Sequence, residues 1–408
     1  MTIWTARRSP SVLATLASCM ALHMTGFAMF QPLFALRFDS FGAGVAALSV
    51  SDMAYALTFA FAAPFTGMLA DRFGRRPIIL LSLAGYVLAF AGYLFAPVAW
   101  ILIALRGLAG IFGAGLLPGM TSIVGDLAPE NRRAQWIGIV NGGAAAGFIV
   151  GPSLGGLLYD RFGYVMPSAV SITMATGALL LALFRIPETH TSAAHPSRLR
   201  SPWKLEWQGL PARSTFLLLM GITFGVMFAY AFIQPQFMFH AYDDLSWTSS
   251  QLGLVMSAYA VAFMFSAFAF GRLSDRLGRK PVLVLGLALF SAQFVGLVIF
   301  QDVAWIVVSF IIAGLGNALY DPALSAMILD ITPPEHIAGM LGLNSMAGSL
   351  GRMLGPALVV LITPLAGPQV VFQAAAVLVC MVALASGLVL RLPGGIDGAH
   401  HLAEQAKP

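Results

Sequence analysis

Four charged residues stand inside stretches that are otherwise apolar: Asp52, Arg106, Asp321 and Arg352. A charge within a hydrocarbon span costs at least about 2.5 kcal/mol even on insertion scales, so it needs a partner or a wet cavity. A carboxyl group in that setting can also exchange protons. Desolvation favours the neutral acid and a nearby cation favours the ion, so a change of surroundings loads or discharges it. Arg106 lies in Leu105-Arg106-Gly107-Leu108-Ala109-Gly110, roughly 12 Å from the end of its run by helical rise. Asp52 falls at a similar depth in another run, which makes Asp52–Arg106 the preferred pair. Asp321 sits in Asn317-Ala-Leu-Tyr320-Asp321-Pro322, and Arg352 differs from it in depth by roughly 10 Å. A direct Asp321–Arg352 pair and a structural role for Asp321 at the Pro322 break both stay open.

The elements that must position these charges are long apolar segments. The chain is 59% hydrophobic and only 10% charged, where a soluble domain carries about 25% charged residues. Segments at 11–36, 46–70, 77–96, 98–126, 134–158, 164–186, 214–239, 249–273, 280–300, 303–329, 338–362 and 369–391 are long enough to span a bilayer. They predict an all-α integral membrane protein of twelve transmembrane helices, six in each half. A membrane barrel would instead show short alternating strands. The expected divisions are a six-helix bundle at 1–186, a linker at 187–213, a second bundle at 214–391 and a tail at 392–408. Most of the 22 Lys and Arg fall on one side of this arrangement, with Arg37 and Arg161 as the exceptions in loops. The positive-inside rule then puts both termini in the cytoplasm. The same bias accounts for the net +5 without a nucleic-acid partner. Cys19 and Cys380 lie in separate helices, so no disulfide and no metal site is expected.

Gly67-Met-Leu-Ala-Asp71-Arg72-Phe-Gly74-Arg75-Arg-Pro77 returns half a chain length later as Gly271-Arg-Leu-Ser-Asp275-Arg276-Leu-Gly278-Arg279-Lys-Pro281. Each copy joins two apolar segments. A repeat at this offset means duplicated halves with the same topology. The match continues through Gly110 and Gly314, Pro118 and Pro322, Asp126 and Asp330, and Gly151-Pro152 and Gly355-Pro356. Gly74 and Gly278 suit a turn that needs positive φ.

These hairpins resemble the signature loop of the major facilitator superfamily, and the resemblance covers nearly the whole chain. It implies two pseudo-symmetric six-helix bundles that rock about a central cavity. It also implies that the loop is a latch: Asp71 would engage the start of the eleventh helix near 338, and Asp275 the start of the fifth near 134. Arg106 with Gly110 resembles the fourth-helix motif of proton-coupled members, where the Arg is tied to proton transfer. Gly147-Phe-Ile-Val-Gly151-Pro152-Ser-Leu-Gly155-Gly156 resembles the antiporter motif of the drug:proton antiporter branch. Spacings of four put Gly147, Gly151 and Gly155 on one smooth face, and Pro152 favours a kink.

The expected function is proton-coupled export of small amphiphilic compounds. Proton coupling falls to Asp52, Arg106 and Asp321, with Arg352 setting the local field. Candidate cavity residues are His23, Phe27, Gln31, Tyr55, Tyr230, Gln234, Tyr259, Asn317 and Tyr320. Flat aromatic groups and Met suit a site that accepts varied cargo. The expected partners are a small-molecule substrate, protons and the lipid bilayer, around a monomer in a bacterial-type plasma membrane. No Gly-x-x-x-x-Gly-Lys-Ser/Thr loop occurs, so ion coupling is the expected energy source and no cofactor is expected. A nutrient symporter and a lipid-linked substrate translocase are the alternatives, and no motif suggests an enzyme.

Overall fold

A computed structural model of the chain describes residues 3–189, 213–270, 277–332 and 336–390. Twelve helices among them are long and apolar enough to cross a membrane. They are α1 (Ser11–Asp39), α2 (Gly44–Ala70), α3 (Arg75–Phe95), α4 (Ala99–Leu127), α5 (Glu130–Phe162) and α6 (Val165–Arg185) in the first half. The second half holds α7 (Ser214–Asp244), α8 (Ser249–Ala267), α9 (Arg279–Ile299), α10 (Val303–Ile331), α11 (Gly339–Ile362) and α12 (Pro368–Val389). Their ends follow the expected segments closely, because apolar length fixes a spanning helix and charge or Pro ends it.

Three departures are local. α1 is interrupted by a turn at 30–32, where Pro32 has no N–H to continue the ladder. α7 ends in a π-helical turn, His240–Asp244, and α9 is broken at Ser291 between Arg279–Phe290 and Ala292–Ile299. Such irregularities need local compensation in a span, since no water satisfies freed backbone groups there.

The halves repeat each other in packing. In the first, α1 packs on α5 and α6, α4 on α2 and α3, and α3 on α6. In the second, α7 packs on α11 and α12, α10 on α8 and α9, and α9 on α12. The match extends to single atoms. A Cβ built on Gly110 would lie 2.5 Å from the carbonyl oxygen of Tyr55, and one on Gly314 would lie 2.5 Å from that of Tyr259. Both α2–α4 and α8–α10 therefore cross backbone to backbone at a glycine, as small residues permit in membranes.

Between the halves, α5 meets α8 and α2 meets α11. The α5–α8 seam is uneven along its length. Gly138 and Gly156 are five helical turns apart, about 27 Å along α5, so they point the same way. Gly156 abuts the backbone of Ser249 and Ser250 on α8, whereas nothing lies within 4 Å of the position a Cβ would take on Gly138 or Gly142. Gly342 on α11 likewise faces open space. The halves thus touch at the end away from the α2–α3 hairpin and part toward the hairpin end.

Candidate functional site: the walls of the cleft between the halves

Thr58 on α2 donates to the Gly107 carbonyl of α4 at 2.7 Å. Together with the Gly110 crossing, this fixes α2 against α4 and sets Asp52 beside Arg106. Arg106 Nη2 donates to Asp52 Oδ1 at 2.6 Å. Arg106 is 3% exposed and Asp52 21%, so the pair is sealed on one side and reachable on the other. The guanidinium lies 4.4 Å from the Phe34 ring centroid, 4.9 Å from Tyr55 and 5.9 Å from Phe27. Aromatic faces attract a desolvated cation, which suits the Nε and Nη1 groups that find no hydrogen-bond acceptor among the described residues. The Tyr55 and Tyr86 hydroxyls meet at 3.2 Å. The ion pair expected from depth alone is therefore present, under a roof of aromatic rings.

The second half places its charges differently. Asp321 and Arg352 are both exposed inside their spans. No ion pair joins them, although Arg352 is near enough for its charge to act on Asp321. The same guanidinium acts on Tyr230 in its own half and on Tyr55 across the cleft, and Asp52 acts on Tyr230 in return. The four charges thus share one central region. Asn317 Nδ2 donates to the Tyr259 hydroxyl at 2.8 Å, which ties two candidate residues into one wall. Phe27, Gln31, Tyr55, Tyr230, Gln234, Tyr259 and Asn317 are all partly buried, as residues bordering a cleft should be.

Two expected cavity residues are placed elsewhere. His23 is fully buried, and neither ring nitrogen has a hydrogen-bond partner among the described residues. Its ring centroid lies 4.0 Å from that of Tyr86, with Phe27 and Phe90 also alongside. The face of α1 that carries Phe27 does reach the cleft, but His23 is one turn further in, behind Tyr86. Tyr320 is 2% exposed and packs on Phe290 of α9 at 5.2 Å. Its neighbour Asp321 takes the open side of α10, so the aromatic ring turns inward.

At the described ends of the hairpins, Arg75, Arg76 and Arg279 are tied to their own halves. Gly74 and Gly278 have φ of 103° and 86°, the positive values expected for these turns. Arg75 pairs with Asp126 at the end of α4 and also donates to the Ser122 carbonyl. Arg279 pairs with Asp330 at the end of α10 at 2.5 Å. Glu188, past the end of α6, accepts from the backbone N–H groups of Arg75 and Arg76 at 3.2 and 3.3 Å. It caps α3, a role that no sequence pattern announced. The Asp126 and Asp330 partnerships did have a signal, since the two acids recur at the repeat offset beside the recurring arginines. Gly67 faces open space, and Arg72 lies over the Phe73 ring. Gly271, Asp275, Arg276 and the Asp71 side chain lie outside the described residues.

The glycine string of α5 divides its work between the halves. Gly147, Gly151 and Gly155 pack on α1 of the same half, against Thr25, Ala28 and Met29. Gly156 turns to α8, and Gly253 of α8 returns the contact against Pro152. Ser153 and Ser257 hydroxyls bond across the same seam at 2.8 Å.

Two duplicated six-helix bundles around a central charged cleft define a transporter fold. The sequence description of the Major Facilitator Superfamily matches residues 16–243 and 226–405, and the chain belongs to that family. It is 31% identical to the class G tetracycline resistance protein of Vibrio anguillarum over 74% of this chain and 77% of that protein. It is 26% identical to the multidrug resistance protein MdtG of Proteus mirabilis, over 90% of this chain and 93% of that one. Among solved structures, the nucleoside transporter NupG (a D323A mutant) aligns with a TM-score of 0.74 at 14% identity, covering 93% of this chain and all of that one. A bacterial homologue of the human lysosomal transporter Spinster aligns at 0.72 with 18% identity, covering 93% and 94%. These likenesses establish a multi-pass membrane transporter of the major facilitator fold.

Proposed function

We propose that the protein exports small amphiphilic compounds, drugs among them, in exchange for protons by alternating access. The observation that carries this reading is the Asp52–Arg106 pair, sealed by aromatic rings on one side and open to the cleft on the other, in a chain related to proteins named for tetracycline and multidrug resistance. A proton placed on Asp52 would weaken its hold on Arg106 and free the α2–α4 wall to rearrange. Asp321 offers a second carboxylate to the cleft, where the field of Arg352 would bias its proton or a cationic cargo. Tyr55, Tyr230 and Tyr259 supply flat faces for stacking, and Gln31, Gln234 and Asn317 supply sparse hydrogen bonds. Such a lining favours amphiphilic molecules of varied shape.

The hairpin end is assigned to the cytoplasm of a bacterial-type plasma membrane, with both termini on that side, so the conformation described is open to the inside. The protein acts as a monomer and moves its cargo unchanged. The test is growth of expressing cells against a panel of toxic amphiphiles, with and without a protonophore. Resistance that the protonophore abolishes is expected. Proton-driven accumulation of a compound by right-side-out cells would reverse the assigned direction.

A further inference from the structure

The first turn of α8 is capped by two different parts of the molecule. A helix start leaves four backbone N–H groups without intrahelical partners. Thr248 and Gln251 satisfy two of them as a capping box: Thr248 N–H donates to Gln251 Oε1 at 2.8 Å, and Gln251 N–H to Thr248 Oγ1 at 3.2 Å. The remaining two go to the other half. Ser249 N–H donates to Asp160 Oδ1 at 3.0 Å, and Ser250 N–H to Asp160 Oδ2 at 2.8 Å. Asp160 is on the last turn of α5, so each oxygen of a first-half carboxylate holds one donor of a second-half helix. The contact lies one turn beyond the Gly156–Ser249 approach. Close by, the Tyr242 hydroxyl donates to the Pro32 carbonyl of α1 at 2.7 Å, again across the halves. All of these contacts are at the closed end of the cleft.

We propose that Asp160 is the latch of that end, made when the far side closes and broken each time it opens. The carboxylate matches the positive end of the α8 dipole and gains two charge-assisted hydrogen bonds. The four donors it helps satisfy are near the membrane edge, where water can replace it, so the latch is firm enough to bias the closed state and weak enough to release. It does at this end what the resemblance assigns to Asp71 and Asp275 at the hairpin end: a carboxylate of one half engages a helix start of the other.

The test needs neither cargo nor a proton gradient, so it stands apart from the export reading. Spin labels are placed on cysteines introduced at Ser40 and Gln301, exposed far-end positions in opposite halves, in a background lacking Cys19 and Cys380. Distances are measured by pulsed electron resonance on the full chain in nanodiscs. Asp160→Ala should raise the ratio of long to short separations roughly five-fold, the scale of a lost helix cap, and Asp160→Asn less, because Asn caps nearly as well as Asp. Ser249→Pro removes one donor from the opposite side at a position where Pro suits a helix. It should raise the same ratio, and adding Asp160→Ala should then have less effect than it has alone. An unchanged distance distribution in Asp160→Ala, or full additivity of the two substitutions, would overturn the latch.

Discussion

The two halves share a packing plan and differ in how they treat charge. In the first half an arginine and an aspartate are locked together at 2.6 Å with the arginine buried. In the second an aspartate and an arginine stand apart and exposed. Duplication explains the common frame, down to the glycine crossings at Tyr55 and Tyr259. It does not explain the charges, which occupy different helices in the two halves: α2 and α4 in one, α10 and α11 in the other. A buried pair fixes a local structure and releases it only when one partner is neutralised. An open pair responds to whatever enters the cleft. On the proposed function the contrast is a division of labour: the first half holds a locked pair that frees its wall when Asp52 is neutralised, and the second offers an open carboxylate, Asp321, that couples the proton to cargo.

The largest expected effect comes from breaking the sealed pair. Arg106→Ala should abolish transport and destabilise the protein by about 3 kcal/mol, because it strands Asp52 in a partly desolvated site. Arg106→Lys should keep part of both, since it retains the charge but loses the planar fork and the stacking on Phe34 and Tyr55. Thermal denaturation in detergent and counterflow in liposomes would read the two effects separately. Equal damage from Ala and Lys would show that the pair matters for geometry alone.

Asp321→Asn is the matching test in the open half. Asp321 makes no ion pair among the described residues, so stability should change by no more than about 0.5 kcal/mol, while proton-driven export is lost and energy-independent exchange of cargo persists. If drug–proton exchange ran at its normal rate in this variant, Asp321 would have no part in coupling and the division between the halves would fail.

The seam between the halves gives an intermediate effect and a sharper contrast. Gly147 and Gly151 have counterparts in Gly351 and Gly355, but valine stands at 359 and 360 where the first half has Gly155 and Gly156. Gly351 and Gly355 approach the α7 backbone as Gly147 and Gly151 approach α1, but only the first half extends this surface to a glycine that meets the other half, Gly156. A methyl group at Gly156 would overlap the Ser249 backbone, and such overpacking costs about 1–3 kcal/mol. Because the overlap exists only when the far end is closed, Gly156→Ala should shift the spin-label distances outward. Gly138→Ala, with nothing in reach, should leave them unchanged.

Much of this frame was readable from the chain. Apolar length set the spans to within a few residues, and depth along two of them paired Asp52 with Arg106. What could not be read was rotation about the helix axes. His23 and Phe27 belong to one face by spacing, yet only Phe27 reaches the cleft, because Tyr86 of α3 covers the turn below. Tyr320 and Asp321 are adjacent, and the crossing with α9 decided which of them faces inward. Asp160 gave no signal for a related reason. A carboxylate at a membrane edge usually meets solvent, and only the tertiary contact with α8 gives it a partner.

The smallest expected effect tests whether the hairpin ties are as symmetric as their sequences. Arg75–Asp126 and Arg279–Asp330 are partly exposed pairs, with side-chain exposures of 21% and 31% in the first and 32% and 46% in the second. Such pairs contribute about 0–1 kcal/mol. The first tie has more support: Arg75 also donates to the Ser122 carbonyl, and Thr189 donates to Asp126 at 2.7 Å. Arg75→Ala should therefore lower stability by about 1 kcal/mol and Arg279→Ala by about half that, measured as paired melting curves. The reverse order would mean that the better-exposed tie carries the greater share, and that the first half is not the more firmly fixed of the two.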